Sequence, residues 1–64
     1  MELTEKIWIA SVAVSKNMNY EDLKYSDYLY GNEDLIDDVW NFVEECKEAG
    51  TKAFYEKYKE YKLY

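Results

Sequence analysis

Carboxylates recur at helical spacing in the middle of this chain, and carboxylates can bind basic groups, hold a metal ion or transfer protons. The line consists of Asp34, Asp38, Asn41, Glu45 and Glu48, and it is widened by Asp37 and Glu44. On one helix, carboxylates a turn apart lie about 5–6 Å from each other, which is close to the spacing of phosphates along a nucleic-acid strand. The line therefore predicts a surface that a basic partner could bind in place of nucleic acid.

These residues give little support for a metal site or for enzyme activity. Asp34, Asp37 and Asp38 do not form the loop pattern of a calcium site, and histidine is absent, which removes the commonest metal ligand and general base. Gly31 and Gly50 stand alone, so there is no phosphate-binding loop. A 64-residue chain seldom encloses the pocket that would shift the pKa of a carboxylate. We expect no enzyme activity, no metal site and no cofactor.

The acidic line also has a simpler interpretation as the solvated side of a surface helix. Acids in a first turn, such as Glu33 and Asp34, are stabilised by the helix dipole without any partner. However, no lysine lies between Lys24 and Lys47, whereas a helix adapted only for stability usually places lysine four residues after an acid. Both interpretations stay open on the sequence.

Tyrosine clusters on either side of the acidic segment, and tyrosine is enriched both in interfaces and on the edges of small cores. Of the first cluster, three join Asp27 and the acidic line in the predicted partner-binding set: Tyr25, Tyr28 and Tyr30. In the C-terminal cluster, Phe54, Tyr58 and Tyr61 are predicted to be core. Trp8 and Trp40 are also expected in the core, as is the single cysteine, Cys46, a buried thiol on the apolar side of its helix.

Hydrophobic periodicity predicts a compact, mostly α-helical single domain, residues 1–64, of three to four helices. The predicted helices are 3–17, 20–30, 33–49 and 52–62. Asn19, Asn32 and Thr51 are expected to cap three of them, and Gly50 to end the third with a left-handed residue. The alternative is an α+β fold in which residues 6–15, rich in Ile and Val, form a strand paired with 23–30 in a hairpin packed on two helices.

Charge is distributed unevenly along the chain. Residues 1–46 hold eleven acids and three lysines, a net charge of −8, while residues 47–64 hold five lysines and three acids, a net charge of +2. This balance argues against direct nucleic-acid binding, which requires a basic surface, and favours a basic protein as partner. The apolar run 7–14 is too short to span a bilayer and has no basic leader, so the expected location is the cytoplasm.

In length, in the segment NEDLIDDVWNFVEECKE, in tyrosine content and in its lack of His and Pro, the chain resembles the small acidic anti-CRISPR and antirestriction DNA-mimic proteins of phages and mobile elements. The resemblance is one of general character and assigns no individual residue. It implies a non-enzymatic inhibitor that occupies the nucleic-acid-binding surface of a partner such as a host-defence nuclease, in the host cytoplasm. The alternative is an assembly module that forms a homo-oligomer through aromatic faces.

Overall fold

Four α-helices make up the fold in the computed structural model, which describes residues 1–59. They are α1 (Leu3–Ser15), α2 (Tyr20–Lys24), α3 (Ile36–Ala49) and α4 (Thr51–Tyr58). Two 3₁₀ turns, Asp27–Leu29 and Glu33–Leu35, join α2 to α3. The mostly helical prediction is confirmed. Since residues 1–59 contain no strand, the α+β alternative with a strand at 6–15 and a hairpin to 23–30 is wrong.

Helix α1 packs mainly on α3, and the residues of α1 explain why it is a helix rather than a strand. Ile7, Ala10 and Ala13 recur every third residue and are fully buried on one side of the helix, a pattern that alternating strand faces could not produce. Alanine has the highest helix propensity, and its small side chain allows a neighbouring helix to approach closely. The apolar run is therefore the central helix of the core.

The core is completed by one side of α3 and by single large residues from the other elements. Val39, Val43 and Cys46 of α3 are fully buried, which confirms the prediction for Cys46. Helix α2, the first 3₁₀ turn and α4 contribute the fully buried side chains Leu23, Leu29 and Phe54, respectively. Tyr58 is buried as predicted, while Tyr61 and Tyr64 lie outside the described residues.

The start of α2 is capped as predicted, but its end is not where the sequence placed it. The backbone N–H of Asp22 donates to Asn19 Oδ1 at 2.7 Å, and that of Asn19 donates to Asp22 Oδ2 at 3.3 Å, which forms a reciprocal capping box. The helix predicted for 20–30 stops at Lys24. The hydroxyl of Ser26 donates to the carbonyl of Leu23 at 2.7 Å, and a serine that bonds the backbone in this way competes with helix continuation.

Two predicted caps are wrong. The side chain of Asn32 caps nothing, and α3 starts three residues later than predicted, after a 3₁₀ turn in which the Leu35 N–H donates to the Asn32 carbonyl at 2.9 Å. Thr51 is the first residue of α4 and makes no cap, because Gly50 occupies the capping position. Gly50 does end α3 with a positive φ of 88°, as predicted. The end predicted for α4, at residue 62, lies outside the described residues.

The two tryptophans differ in burial. Trp40 is half-buried and packs against the core, but the prediction that Trp8 is a core residue is wrong, because 52% of its surface is exposed. Consecutive residues of a helix are about 100° apart, so Trp8 points away from the direction of Ile7. The ring of Trp8 meets that of Tyr28 edge to face, with centroids 5.6 Å apart.

Candidate functional site

The outer side of α3 and the 3₁₀ turn before it carry a continuous line of exposed polar residues, which we call the acidic face. Its members follow one another at steps of three and four residues: Asp34, Asp37, Asn41, Glu44 and Glu48. On a helix these steps keep side chains on one side, here opposite the buried Val39 and Val43. The acidic face contains four carboxylates, and within residues 1–59 no lysine pairs with Asp34, Glu44 or Glu48.

Two carboxylates that the sequence placed on the central line are instead engaged within the chain. Asp38 forms an ion pair with Lys6 of α1, with Nζ 2.9 Å from Oδ2. Glu45 forms one with Lys57 of α4, with Nζ 2.6 Å from Oε2. Both acids lie on the flank of α3, where neighbouring helices meet it. The predicted line is therefore shifted, and Asp37 and Glu44, which the sequence assigned to its margin, belong to its centre.

Glu45 also accepts hydrogen bonds from the hydroxyl of Tyr58, at 2.9 and 3.1 Å, and so ties α4 to α3. The ammonium of Lys57 and the hydroxyl of Tyr58 lower the pKa of Glu45 below its ordinary value. In turn, Glu45 raises the pKa of Lys57. Burial, and then the bond to Glu45, raise the pKa of Tyr58. This trio holds α4 in place and is not a free binding group.

We expect Glu45→Gln to remove a pH-dependent part of the stability. A carboxylate with a lowered pKa in the folded state stabilises the fold above its unfolded pKa of about 4.3. That contribution is lost as the pH falls through the folded pKa of Glu45. The difference in unfolding free energy between wild type and Glu45→Gln should thus be largest at pH 7 and decrease below about pH 4.3, as measured by urea unfolding. Glu44→Gln, at an acidic-face position with no lysine partner within residues 1–59, is the matched control and should not lower the unfolding free energy at pH 7.

Helix α2 borders the acidic face with aromatic residues. The hydroxyl of Tyr20 donates to Asp37 Oδ1 at 2.7 Å, and this bond raises the pKa of Tyr20. The ring of Tyr20 packs edge to face on Trp40, at 5.6 Å between centroids. Lys47 Nζ also lies near this ring, 4.9 Å from the centre of Trp40. Asp37 is therefore held in one orientation, although it stays exposed to solvent.

The predicted tyrosines do not form one group. Tyr25 and Tyr30 are 73% and 83% exposed, and Tyr25 is close enough to Tyr20 to contribute to its raised pKa. Tyr28 is half-buried against the core and belongs with Trp8, on the α1 side of the protein. Asp27 is exposed in its 3₁₀ turn.

Trp8 is the surface residue that the sequence reasoning missed. The signal that could have found it is its position in a line with Glu5, Val12 and Ser15, at helical spacing and on the side of α1 away from Ile7. The segment is apolar on nearly every side, which hides the distinction between core and surface residues.

Other kinds of site find little support in the described part of the chain. Residues 1–59 contain no group of three potential metal ligands close enough to hold an ion. A shallow depression at the turn between α3 and α4, lined by Gly50, Lys52 and Glu56 among others, is open to solvent. Over the same residues, no helix combines the length and apolar character needed to cross a membrane. Comparisons of the chain with known protein families, curated proteins and solved structures find no match.

Proposed function

We propose that this protein is a non-enzymatic binding protein, an inhibitor whose acidic face docks on the basic, nucleic-acid-binding surface of a partner such as a host-defence nuclease. The observation that carries the proposal is the acidic face itself. Over fifteen residues of chain, from Asp34 to Glu48, it presents four carboxylates and one amide to solvent, and the one lysine of this segment, Lys47, is not a member of the acidic face. At 1.5 Å per residue this line is about 21 Å long.

The arrangement of charge on α3 supports binding over simple solvation. Asp38 and Glu45, on the flank, each have a lysine partner within the chain, whereas Glu44 and Glu48 face each other one turn apart as like charges. Such a pair destabilises a helix by about 0.2–0.5 kcal/mol. Lys47, the one lysine of α3, lies over the Trp40 ring and forms no ion pair with either acid within residues 1–59. The free protein therefore keeps an unfavourable charge row that a basic partner would neutralise.

The exposed tyrosines supply the apolar contact that charge alone does not provide. Tyr30 lies just before the acidic face in the chain, and Tyr25 lies near Tyr20, which bonds Asp37. Interface aromatics that become desolvated dominate the lifetime of complexes, while surface charges accelerate association. We assign the acidic face to steering and the two tyrosines to anchoring.

The test compares two single charge reversals with opposite expected effects on stability. Glu48→Lys replaces a like-charge pair by a favourable Glu44–Lys pair at the positive-charge-preferring end of α3, and should stabilise the free protein by about 0.3–1 kcal/mol. Reversing one interface charge should nevertheless weaken partner binding by about tenfold at low salt. Glu21→Lys changes the net charge equally but acts on the first turn of α2, where it should destabilise the protein and leave binding unchanged.

The partner for this test is the protein that wild type captures from a lysate of its source organism and that duplex DNA displaces. Affinity is measured for wild type, Glu48→Lys and Glu21→Lys at about 0.1 M and about 1 M salt, where the Debye length falls from about 10 to 3 Å. Loss of binding in Glu48→Lys alone, together with weakening at high salt, supports the proposal. Equal binding by all three, or no captured protein that DNA displaces, would refute it.

A further inference from the structure

Helix α1 presents a second surface, which is unlike the acidic face. Glu5, Trp8, Val12 and Ser15 follow at steps of three and four residues, and together with Lys16, four residues after Val12, they form the outer face of α1. Trp8 is 52% exposed, Val12 is half-buried, and Lys16 lies just beyond the end of the helix.

From Ile7 to Ala13, the other sides of α1 are covered by its own chain. Ile7, Ala10 and Ala13 face the core, and even the flanking residues Ile9 and Ser11 are buried. Ser11 shares a hydrogen bond with the hydroxyl of Tyr55 on α4. Helices that are apolar on all sides are normally enclosed on all sides. The outer face of α1 is thus an uncovered strip beside the buried sides of the helix, with an exposed tryptophan at its middle.

We propose that a second copy of this chain covers the outer face of α1, with the two α1 helices antiparallel about a twofold axis. The charges of the face are self-complementary, because Glu5 lies near its start and Lys16 at its end. When Trp8 is placed opposite Val12 of the second copy, Glu5 falls opposite Ser15 and next to Lys16 of that copy. The twofold axis makes each contact twice. A parallel arrangement would instead bring like charges together.

The contacts of Lys16 suit the edge of such an interface. Its Nζ lies 3.1 Å from the hydroxyl of Tyr28 and 5.6 Å from the centre of that ring, and the ring in turn packs against Trp8. The ammonium is therefore held beside the aromatic pair while it stays exposed. An apolar centre with charged residues at its edge is the usual anatomy of a protein interface.

A second copy fits this face better than the basic partner of the acidic face does. The outer face of α1 holds one acid and one base, so it offers no net charge to a basic surface. Because α1 and α3 pack against each other through their buried sides, their outer faces point in opposite directions. The described residues extend 28 × 21 × 16 Å, so the two acidic faces of the dimer lie farther apart than the Debye length of about 10 Å at 0.1 M salt.

Sedimentation equilibrium of the full chain tests this interface without any other protein. We expect wild type to form dimers, and Glu5→Lys and Lys16→Glu each to weaken the dimer about tenfold, because each turns two attractive pairs into repulsive ones. The double variant Glu5→Lys/Lys16→Glu should restore wild-type association. Glu21→Lys, which changes the net charge as Glu5→Lys does but lies on α2, should not weaken the dimer.

The sign of the Glu5→Lys effect is decisive. The chain carries a net charge of −6, so this substitution reduces the general repulsion between two copies and would strengthen association if only net charge mattered. Weakening by Glu5→Lys with rescue in the double variant supports the proposal. A chain that is monomeric at every concentration, or a dimer that Glu5→Lys, Lys16→Glu and Trp8→Ala all leave unchanged, would overturn it. All three residues are exposed, and circular dichroism verifies that each variant stays folded.

Discussion

Phe54→Ala should lower the free energy of unfolding by about 3–5 kcal/mol, the usual cost of truncating a buried phenylalanine. The ring of Phe54 is fully buried and meets those of Tyr58 and Phe42 edge to face, with centroids 5.2 and 6.5 Å apart. It is the most deeply buried side chain of α4. A domain of this length has a total stability of about 3–10 kcal/mol, so the variant should lose most of it, as measured by urea unfolding followed by circular dichroism.

The matched control is Lys52→Ala on the same helix, where the side chain is exposed. Exposed substitutions change stability by about 0.5 kcal/mol or less, and alanine suits a helix. Phe54→Leu, which keeps most of the apolar volume, should fall between the two. A loss of less than about 1 kcal/mol in Phe54→Ala would contradict the docking of α4 described above.

Docking of α4 also determines which carboxylates the acidic face presents. Lys57 and Tyr58 bind Glu45 and hold it on the flank of α3. Without α4 in place, Glu45 would lose its ion pair and become an additional free carboxylate beside Asn41 and Glu44. The shape of the candidate binding surface thus depends on a core contact on the opposite side of α3, through the helix that supplies the lysine.

The helices could be predicted from the sequence because their signals are local. The spacing of Ile7 and Ala10, the capping pair formed by Asn19 and Asp22, and Gly50 after α3 each act within a few residues. The start of α3 was predicted wrongly because two local signals compete there. Asn32 can cap a helix, but the carboxylate of Glu33 instead accepts the N–H of Gly31 at 2.7 Å.

The candidate site was harder to predict, because its limits are set by packing between helices. Asp38 and Glu45 have the same residue type and helical spacing as the free acids, so periodicity alone places them on the line. Their partners, Lys6 and Lys57, lie 32 and 12 residues away in the chain. Only the positions of α1 and α4 against α3 decide which carboxylates are paired and which remain free. The exposure of Trp8 also depends on packing between elements, because Tyr28 covers only part of it and 52% of its surface stays exposed.

Ile7→Ala and Val12→Ala separate the two sides of α1. Ile7 is fully buried against the core, so Ile7→Ala should cost about 2–5 kcal/mol of unfolding free energy at any protein concentration, and Ile7→Val about 0.5–1.5 kcal/mol. Val12 lies on the outer face. In dilute solution, Val12→Ala should change stability by about 0.5 kcal/mol or less.

At high protein concentration, Val12→Ala and Ile7→Val should differ in a second way, because dimer formation stabilises the folded chain by mass action. Wild type should then unfold at a higher temperature as its concentration rises, and Val12→Ala, which removes part of the covered surface, should show a smaller rise. Ile7→Val keeps the outer face intact. Its unfolding temperature should be lower than that of wild type at every concentration but should rise with concentration as steeply. If the concentration dependence of Val12→Ala equals that of wild type, Val12 is not covered by a second copy and the two sides of α1 differ only in their contact with the core.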